Sequence, residues 1–303
     1  MKNYTFTREA TAEEIRDYEL VEELTKDMDD GEFMEVIDML DEYFMNYGAE
    51  RKIAYPKVYR FAKKLGVTVK TLDNWYFTGP VNQRGQVTVG GSAQYLIDRW
   101  KGYGFSAAQL SIVAGGLQVE NESTGNEYVR QFLNAPLPAG KYTLSALVVS
   151  TTGGGDIGVL SVRNRASSVL PEPATPFTGP GLVTLTFDTD GITSPVDNVG
   201  FTCFSGKSVI VSAIKLELGN SQTLAHQENG AWVLNELPDY GEELLKCQRY
   251  YQIFHTQALR PTYRQDYRPE MAKNPQSGAI EEQPTTGTIT IEGTTYYTAS
   301  AES

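Results

Sequence analysis

Aromatic side chains are plentiful in this chain, with 18 Tyr, 12 Phe and 3 Trp. An exposed ring can stack against the C–H face of a sugar, while Asn, Asp, Gln and Arg nearby hydrogen-bond its hydroxyls. Trp100, Tyr103 and Phe105 alternate with Lys101 and glycines. Trp232 lies in a polar stretch, 227–235. Tyr263 and Tyr267 stand among arginines in Tyr263-Arg264-Gln265-Asp266-Tyr267-Arg268. Trp100, Tyr103, Trp232, Tyr263 and Tyr267 are therefore the candidate ligand-binding residues. The same ring types also fill sandwich cores and subunit interfaces.

Other chemistries find less material. Glycoside hydrolysis needs two carboxylates at a defined separation; acids abound, but no segment sets a pair in a recognisable context. His226 and His255 are the only histidines, which leaves little for a histidine-dependent triad. No catalytic residue is assigned, and no enzyme activity or cofactor is expected. Asp188-Thr189-Asp190-Gly191 opens like a calcium loop but lacks the later Glu. An aspartate-capped turn explains it equally, so no metal ligand is named. Cys203 and Cys247, the only cysteines, make no disulfide framework. They are expected reduced and at least partly buried, the first on a strand and the second on a helix.

The elements that would position these residues change in kind along the chain. Residues 8–66 read as helical. Thr11-Ala12-Glu13-Glu14 has the form of a capping box, and Ile15, Tyr18, Val21, Leu24 and Met28 line one helix face. Phe33, Val36, Ile37, Leu40, Tyr43 and Phe44 line a second helix. Pro56 would open a third, which ends at Gly66. From Val67 to about residue 220 the texture is Thr, Val, Gly, Ser and aromatics in short alternating runs. Examples are 141–149, 182–187 and 208–218, as in an antiparallel sandwich or barrel. In the first, Tyr142, Leu144, Ala146 and Val148 share an inward face. In the last, Ile210, Ser212, Ile214, Leu216 and Leu218 do the same, with Lys215 and Glu217 pointing away. The proline-rich stretch 171–180 is expected to hold no strand. Residues 239–254 read as a short helix, and 288–299 as a hairpin turning at Glu292-Gly293.

The chain has 303 residues and a formal net charge of −12. Residues 1–50 carry −12, residues 51–70 carry +7 and residues 71–303 carry −7. The basic band coincides with Ala62-Lys63-Lys64-Leu65-Gly66-Val67-Thr68-Val69-Lys70-Thr71-Leu72, which has the shape of a helix-turn-helix. The sixteen acids upstream would repel DNA, and Thr71 and Leu72 belong to the strand-like sequence that follows. Docking to another protein suits the band better than nucleic acid. No apolar run approaches the ~18 residues of a membrane span. Met1-Lys2-Asn3-Tyr4-Thr5 leads into acidic sequence, so no secretory signal is expected.

Several segments, in order, resemble one family. They are Leu72-Asp73-Asn74-Trp75-Tyr76-Phe77, Pro80-Val81-Asn82-Gln83-Arg84-Gly85, Tyr95-Leu96-Ile97-Asp98-Arg99-Trp100 and Leu137-Pro138-Ala139-Gly140-Lys141-Tyr142-Thr143-Leu144-Ser145. Ala213-Ile214-Lys215-Leu216-Glu217-Leu218-Gly219, Tyr240-Gly241-Glu242-Glu243-Leu244, Cys247-Gln248-Arg249-Tyr250-Tyr251 and the closing Tyr297-Thr298-Ala299-Ser300-Ala301-Glu302 follow. Together, over about residues 71–303, they resemble the jelly-roll, carbohydrate-binding-module-like domains of phage and prophage tail-fibre and minor structural proteins. In that family the Asn-Trp-Tyr-Phe segment often lies near the chain start; here residues 1–70 precede it. The resemblance implies a virion protein, assembled in the host cytoplasm, that adheres to host surface glycans. It also implies a homotrimer by analogy with fibres. Independently of it, Asp98-Arg99-Trp100 reads as structural, with Arg99 buried against a carboxylate and carbonyl groups.

The expected fold is mainly β: an antiparallel jelly-roll sandwich over 71–303, with a short helix at about 239–254 and a C-terminal extension. A small α-helical attachment domain over 1–70 precedes it, offering its helices to other virion proteins. The expected function is adhesion as a tail-fibre or receptor-binding component. The alternatives are an assembly protein of capsid, neck or baseplate that binds no glycan, and a DNA-binding regulator using residues 55–75.

Overall fold

The computed structural model describes residues 72–90, 94–104, 107–133, 137, 140–163, 174–189, 196–260, 285–291 and 293–301. The expected N-terminal helices, the basic band with Lys63, Lys64 and Lys70, Phe105, Tyr263 and Tyr267 lie outside these residues.

The strands in chain order begin with β1 (Thr88–Gly90), β2 (Tyr95–Ile97), β3 (Trp100–Tyr103), β4 (Ala108–Val113), β5 (Gly116–Asn121) and β6 (Glu127–Phe132). They continue with β7 (Lys141–Thr152), β8 (Gly158–Arg163), β9 (Ala174–Phe177), β10 (Gly181–Asp188), β11 (Asn198–Cys203) and β12 (Lys207–Leu218). The hairpin β13 (Ala225–Glu228) and β14 (Ala231–Leu234) comes next. Helix α1 (Tyr240–Gln248), β15 (Tyr251–Phe254), β16 (Thr285–Ile291) and β17 (Thr294–Ser300) complete the set.

Sheet A has the order β1-β4-β5-β12-β7-β10, and sheet B the order β2-β3-β6-β11-β8-β9. All their pairings are antiparallel. Within them the eight strands β5 to β12 set 5-12-7-10 against 6-11-8-9, two interlocked Greek keys and so a jelly roll. Alternation explains the core. Tyr142, Leu144, Ala146 and Val148 of β7 are buried, as their spacing requires. On sheet B, Val129, Phe201, Leu160 and Val199 are likewise buried. Tyr142 stacks on Phe187 with centroids 5.8 Å apart.

Three sequence readings need correction. Residues 210–218 do not keep one alternation, because the register slips between Ile210 and Ala213. Val209 and Val211 face inward below the slip, and Ile214, Leu216 and Leu218 above it. Ile210 is thereby turned to the outer face with Lys215 and Glu217. The extra residue is a β-bulge, and its cause is a neighbour: Phe77 N donates to Ser212 O at 2.8 Å, and Ile214 N to Trp75 O at 2.9 Å. Second, β9 crosses the proline-rich stretch. It is the outermost strand of sheet B, where the missing N–H of Pro176 costs least. Third, the helix expected over 239–254 stops at Gln248. Asp239 caps it by accepting from Glu242 N at 2.9 Å. Tyr251–Phe254 instead pairs with β17, where its aromatics and Ile253 suit a half-buried strand. The C-terminal hairpin β16–β17 forms at the expected place.

Candidate functional site

The two outer faces of the sandwich have different fates. On sheet A, Lys215 and Glu217 point outward from β12 and are met by the segment after it. Lys215 Nζ lies 2.9 Å from Glu217 Oε1 and 2.8 Å from Glu236 Oε1, and also donates to Thr223 Oγ1. Thr223 N donates to Glu217 at 2.8 Å. This buried ionic knot lays residues 223–236, with the β13–β14 hairpin, over that end of sheet A.

On sheet B, the outward positions carry rings and cations. Cross-strand register sets Tyr103 opposite Tyr128, Tyr128 opposite Thr202, Thr202 opposite Val159 and Val159 opposite Pro176. Five strands wide, this row runs about 19 Å at the usual spacing of strands, long enough for a short oligosaccharide. The next row holds Lys101, Arg130, Gly200 and Ser161. Tyr103 is 56% exposed, Tyr128, Lys101 and Arg163 are half-buried, and Arg130 is buried. Arg130 lies along the sheet: Nη1 donates to Ser161 O at 2.9 Å, and Nη2 to Ser161 Oγ at 2.8 Å and Thr202 Oγ1 at 3.1 Å. Its Cζ is 5.7 Å from the Tyr128 ring centroid, and the Arg163 Cζ is 4.5 Å from the same centroid. Gly200, centrally placed among them, has no room for a side chain, because a Cβ there would collide with Val129 O. At one margin, Lys101 Nζ and Arg84 Cζ lie 5.3 and 4.8 Å from the Tyr95 ring centroid. Among the described strand positions of this face there is no Asp or Glu.

A second polar cluster anchors β2, β3 and the preceding segment. Asp98 and Arg99 form the turn between β2 and β3, with Arg99 at φ 73°. Arg99 donates to Phe132 O at 2.7 Å, pairs with Asp73 at 3.3 Å and stacks 3.5 Å from the Tyr250 ring centroid. The structural reading of Asp98-Arg99-Trp100 is met here. Asn74 is the hub. It takes φ 54°. Its amide donates to Val81 O and Asp98 O at 2.9 and 2.7 Å, and its Oδ1 accepts from Val81 N at 2.7 Å. Its backbone N donates to Glu243 of α1 at 2.6 Å. Burial pushes the Asp98 carboxyl above the ordinary range, although Arg84, Gln83 and Arg99 oppose it. Asn74 and Arg99 are both committed to buried partners, so the cluster reads as a fastening of strand, segment and helix.

The predicted site residues separate. Trp100 is 1% exposed, on the inner face of β3, and donates Nε1–H to Asn74 O at 2.8 Å. It packs edge-on against Phe77, centroids 5.0 Å apart. It is core, and its assignment to ligand contact is corrected. Parity gives the reason: on one strand, residues 100 and 103 face opposite ways. Tyr103 is on the open face of sheet B. Trp232 is partly exposed, but on the β14 hairpin with Nε1 close to Gly181 of sheet A, so it does not converge with Tyr103. Tyr128, Arg130 and Arg163 were missed. Alternation in Glu127-Tyr128-Val129-Arg130 marked two of them as outward, but not which face stays open. His226 bonds Asn235, and His255 packs on Tyr296, so the two histidines are in separate elements. Cys203 and Cys247 are free and buried, on a strand and a helix as expected. Among the described residues, no group of three or more His, Cys, Asp or Glu is placed to hold a metal ion. None of their helices is long and apolar enough to cross a membrane.

Fold and face together define an antiparallel jelly roll with one open, tyrosine- and cation-bearing sheet. No protein-family model matches the sequence, and no curated protein does. Among solved structures, the chain is similar to a family 29 carbohydrate-binding module at 14% identity, covering 44% of this chain and 88% of the module, TM-score 0.29. It is similar to a putative sugar-binding protein from Bacteroides thetaiotaomicron at 13% identity, covering 50% and 100%, TM-score 0.35. It is also similar to TmCBM61, solved in complex with β-1,4-galactotriose, at 11% identity, covering 50% and 99%, TM-score 0.30. At these identities and TM-scores none of these likenesses bears on the ligand of this chain.

Proposed function

We propose that the chain is a non-catalytic glycan-binding protein whose ligand lies along the Tyr103–Pro176 row of sheet B. The observation that carries this is the open row itself. An exposed tyrosine stands at one end, an exposed proline at the other, and hydroxyl and cationic groups lie between and beside them. Rings offer stacking area at low entropic cost, and a rigid sheet pre-orders them. A single stacked ring contributes about 1 kcal/mol, so one site is weak and several copies on one assembly would gain by avidity. The virion setting, adhesion as a tail-fibre component and the homotrimer are supported by the sequence resemblance over 71–303.

The test is a glycan-array and calorimetric assay on the full chain, with Tyr103→Ala and Trp232→Ala beside it. Tyr103→Ala loses about fivefold in affinity at unchanged melting temperature, and Trp232→Ala keeps its binding. Undiminished binding by Tyr103→Ala would refute this placement.

A second reading has its own observation. Leu237, Tyr240 and Leu245 are each more than half exposed around α1. Beside them, Tyr76, Gly79, Leu237, Pro238 and Tyr240 line a cleft of about 200 Å³. Such a patch suits a protein partner and the assembly role. Capture of a virion protein that Leu237→Ser with Leu245→Ser abolishes, with no glycan bound, would favour it.

A further inference from the structure

We propose that the outer edge of β16 is an interaction surface for a second copy of this chain, the two β16 strands pairing antiparallel about a two-fold axis. This pairing goes beyond the glycan reading and stands without it. A strand at the edge of a sheet presents backbone N–H and C=O groups that can take up another strand, and folded proteins ordinarily guard such edges. Most edges here are guarded. β1 and β2 have three residues each, and β2 pairs with a register irregularity. β9 carries Pro176. β10 ends on Asp188, and Trp232 Nε1 lies 3.6 Å from where a Cβ of Gly181 would stand. β15 has four residues, and its Tyr251 O already accepts from Gln83 Nε2 at 2.8 Å.

β16 has none of these devices. It runs seven residues, Thr-Thr-Gly-Thr-Ile-Thr-Ile, with no charge, no proline and no irregularity in its pairing with β17. Its β-branched residues favour the extended backbone. It is the outermost strand of its three-stranded sheet, and among the described residues only β17 pairs with it. Thr286, Thr288 and Thr290 are exposed. The strand is also held in place. β17 pairs with its whole length, and Ile291 rests against Gly85, where a Cβ would come within 2.9 Å of Ile291 Cγ2. A strand ordered in advance loses little entropy on gaining a neighbour.

The residue pattern selects the occupant. Antiparallel pairing about Thr288 sets Thr288 opposite Thr288, Thr286 opposite Thr290, and Gly287 opposite Ile289. Threonine then meets threonine on one face. Thr290 already meets Thr295 that way within the hairpin, their hydroxyl oxygens 3.5 Å apart. On the other face each Ile289 stands opposite a glycine, which leaves it room. Threonine pairs of this kind are favourable across strands, and like charges directly opposite are destabilising. The chain carries a net charge of −12, so an edge without charge lets two copies approach without setting like charges face to face. Two three-stranded sheets become one of six strands, with about six to eight new backbone hydrogen bonds. A two-fold contact closes on two copies, unlike the homotrimer that the resemblance implies.

The experiment is sedimentation velocity on the full chain across the micromolar range. Thr288→Lys and Thr288→Glu are run alone and as an equimolar mixture, and circular dichroism with thermal melting checks that each folds. The unaltered chain is expected to pass from one-copy to two-copy mass as concentration rises. Each variant alone sets like charges opposite each other on the axis and weakens association about fivefold or more. The mixture sets Lys opposite Glu and recovers the two-copy species. One-copy mass at every concentration overturns the inference, and so does a three-copy species that neither variant changes. Two-copy mass kept at full strength in a folded Thr288→Lys overturns the assignment to β16. No recovery in the mixture overturns strand-on-strand pairing about Thr288.

Discussion

Replacing Asn74 with Ala tests whether the fastening at the sandwich edge is as central as its geometry says. Asn74 stands at φ 54° and makes three side-chain hydrogen bonds to buried backbone groups. Truncation removes the partner of Val81 N and one acceptor contact each at Val81 O and Asp98 O. Val81 O keeps its bond from Asp98 N at 3.3 Å, so two groups lose most. Each buried group left unsatisfied costs about 1–3 kcal/mol, and an L-residue other than Asn or Gly in the left-handed region costs about 1–2 kcal/mol more. The sum is about 5 kcal/mol. For a domain of this size that lowers Tm by about 10–20 °C. Asn74→Gly relieves only the backbone share and should fall between Ala and the unaltered chain. The assay is thermal melting followed by tryptophan fluorescence, since Trp75 and Trp100 adjoin the site, and by circular dichroism. A loss below about 3 °C for Asn74→Ala would refute the argument that these bonds hold the edge. Identical losses for Ala and Gly would refute its backbone component.

Two further outcomes follow from buried charge. Burial, helped by Glu127, pushes the Cys203 thiol up to about 12 from 9.0. The folded state therefore keeps a proton that the unfolded chain releases above pH 9. Stability falls as pH rises from 9 and levels off near 12, by about 1.4 kcal/mol at pH 10 and about 4 kcal/mol in full. Urea midpoints should fall more steeply between pH 8 and 10 in the unaltered chain than in Cys203→Ala; parallel slopes would exclude this thiol as the cause. Lys215→Met strands the buried Glu217 carboxylate and should cost about 3–5 kcal/mol by urea unfolding. Adding Glu217→Gln, which still accepts from Thr223 N, should recover most of that loss.

Particular segments show how much could be read in advance. The alternation of Tyr142 to Val148 is a local property, and it assigned the inward face of β7 correctly. The pairing of β16 with β17 and the buried fate of Arg99 were legible for similar reasons: each depends on neighbours in sequence or on the cost of burying one charge. Residues 210–218 failed because the bulge at Ser212 is imposed by Trp75 and Phe77, more than a hundred residues earlier. Trp100 faces the core and Tyr103 the solvent because the two stand three positions apart on one strand, so parity and not residue type sets the face of each. Pro176 failed because proline excludes central strands, and only the assembled sheet says which strand is outermost.

By itself the sequence determined that runs such as 141–149 and 182–187 would be strands with a shared apolar side, since the period of two is written in each. It also determined that cysteine and histidine chemistry had little to work with, and that the strand-forming part of the chain is acidic on balance. Only the tertiary structure decided which outer face would be available. Both faces alternate with polar residues, but the Lys215–Glu217–Glu236 knot draws residues 223–236 over one of them. The other gathers Tyr103, Tyr128, Arg130 and Arg163 from three strands far apart in sequence. Convergence of that kind follows from strand order across a sheet, and strand order is set by long-range pairing that no local pattern encodes.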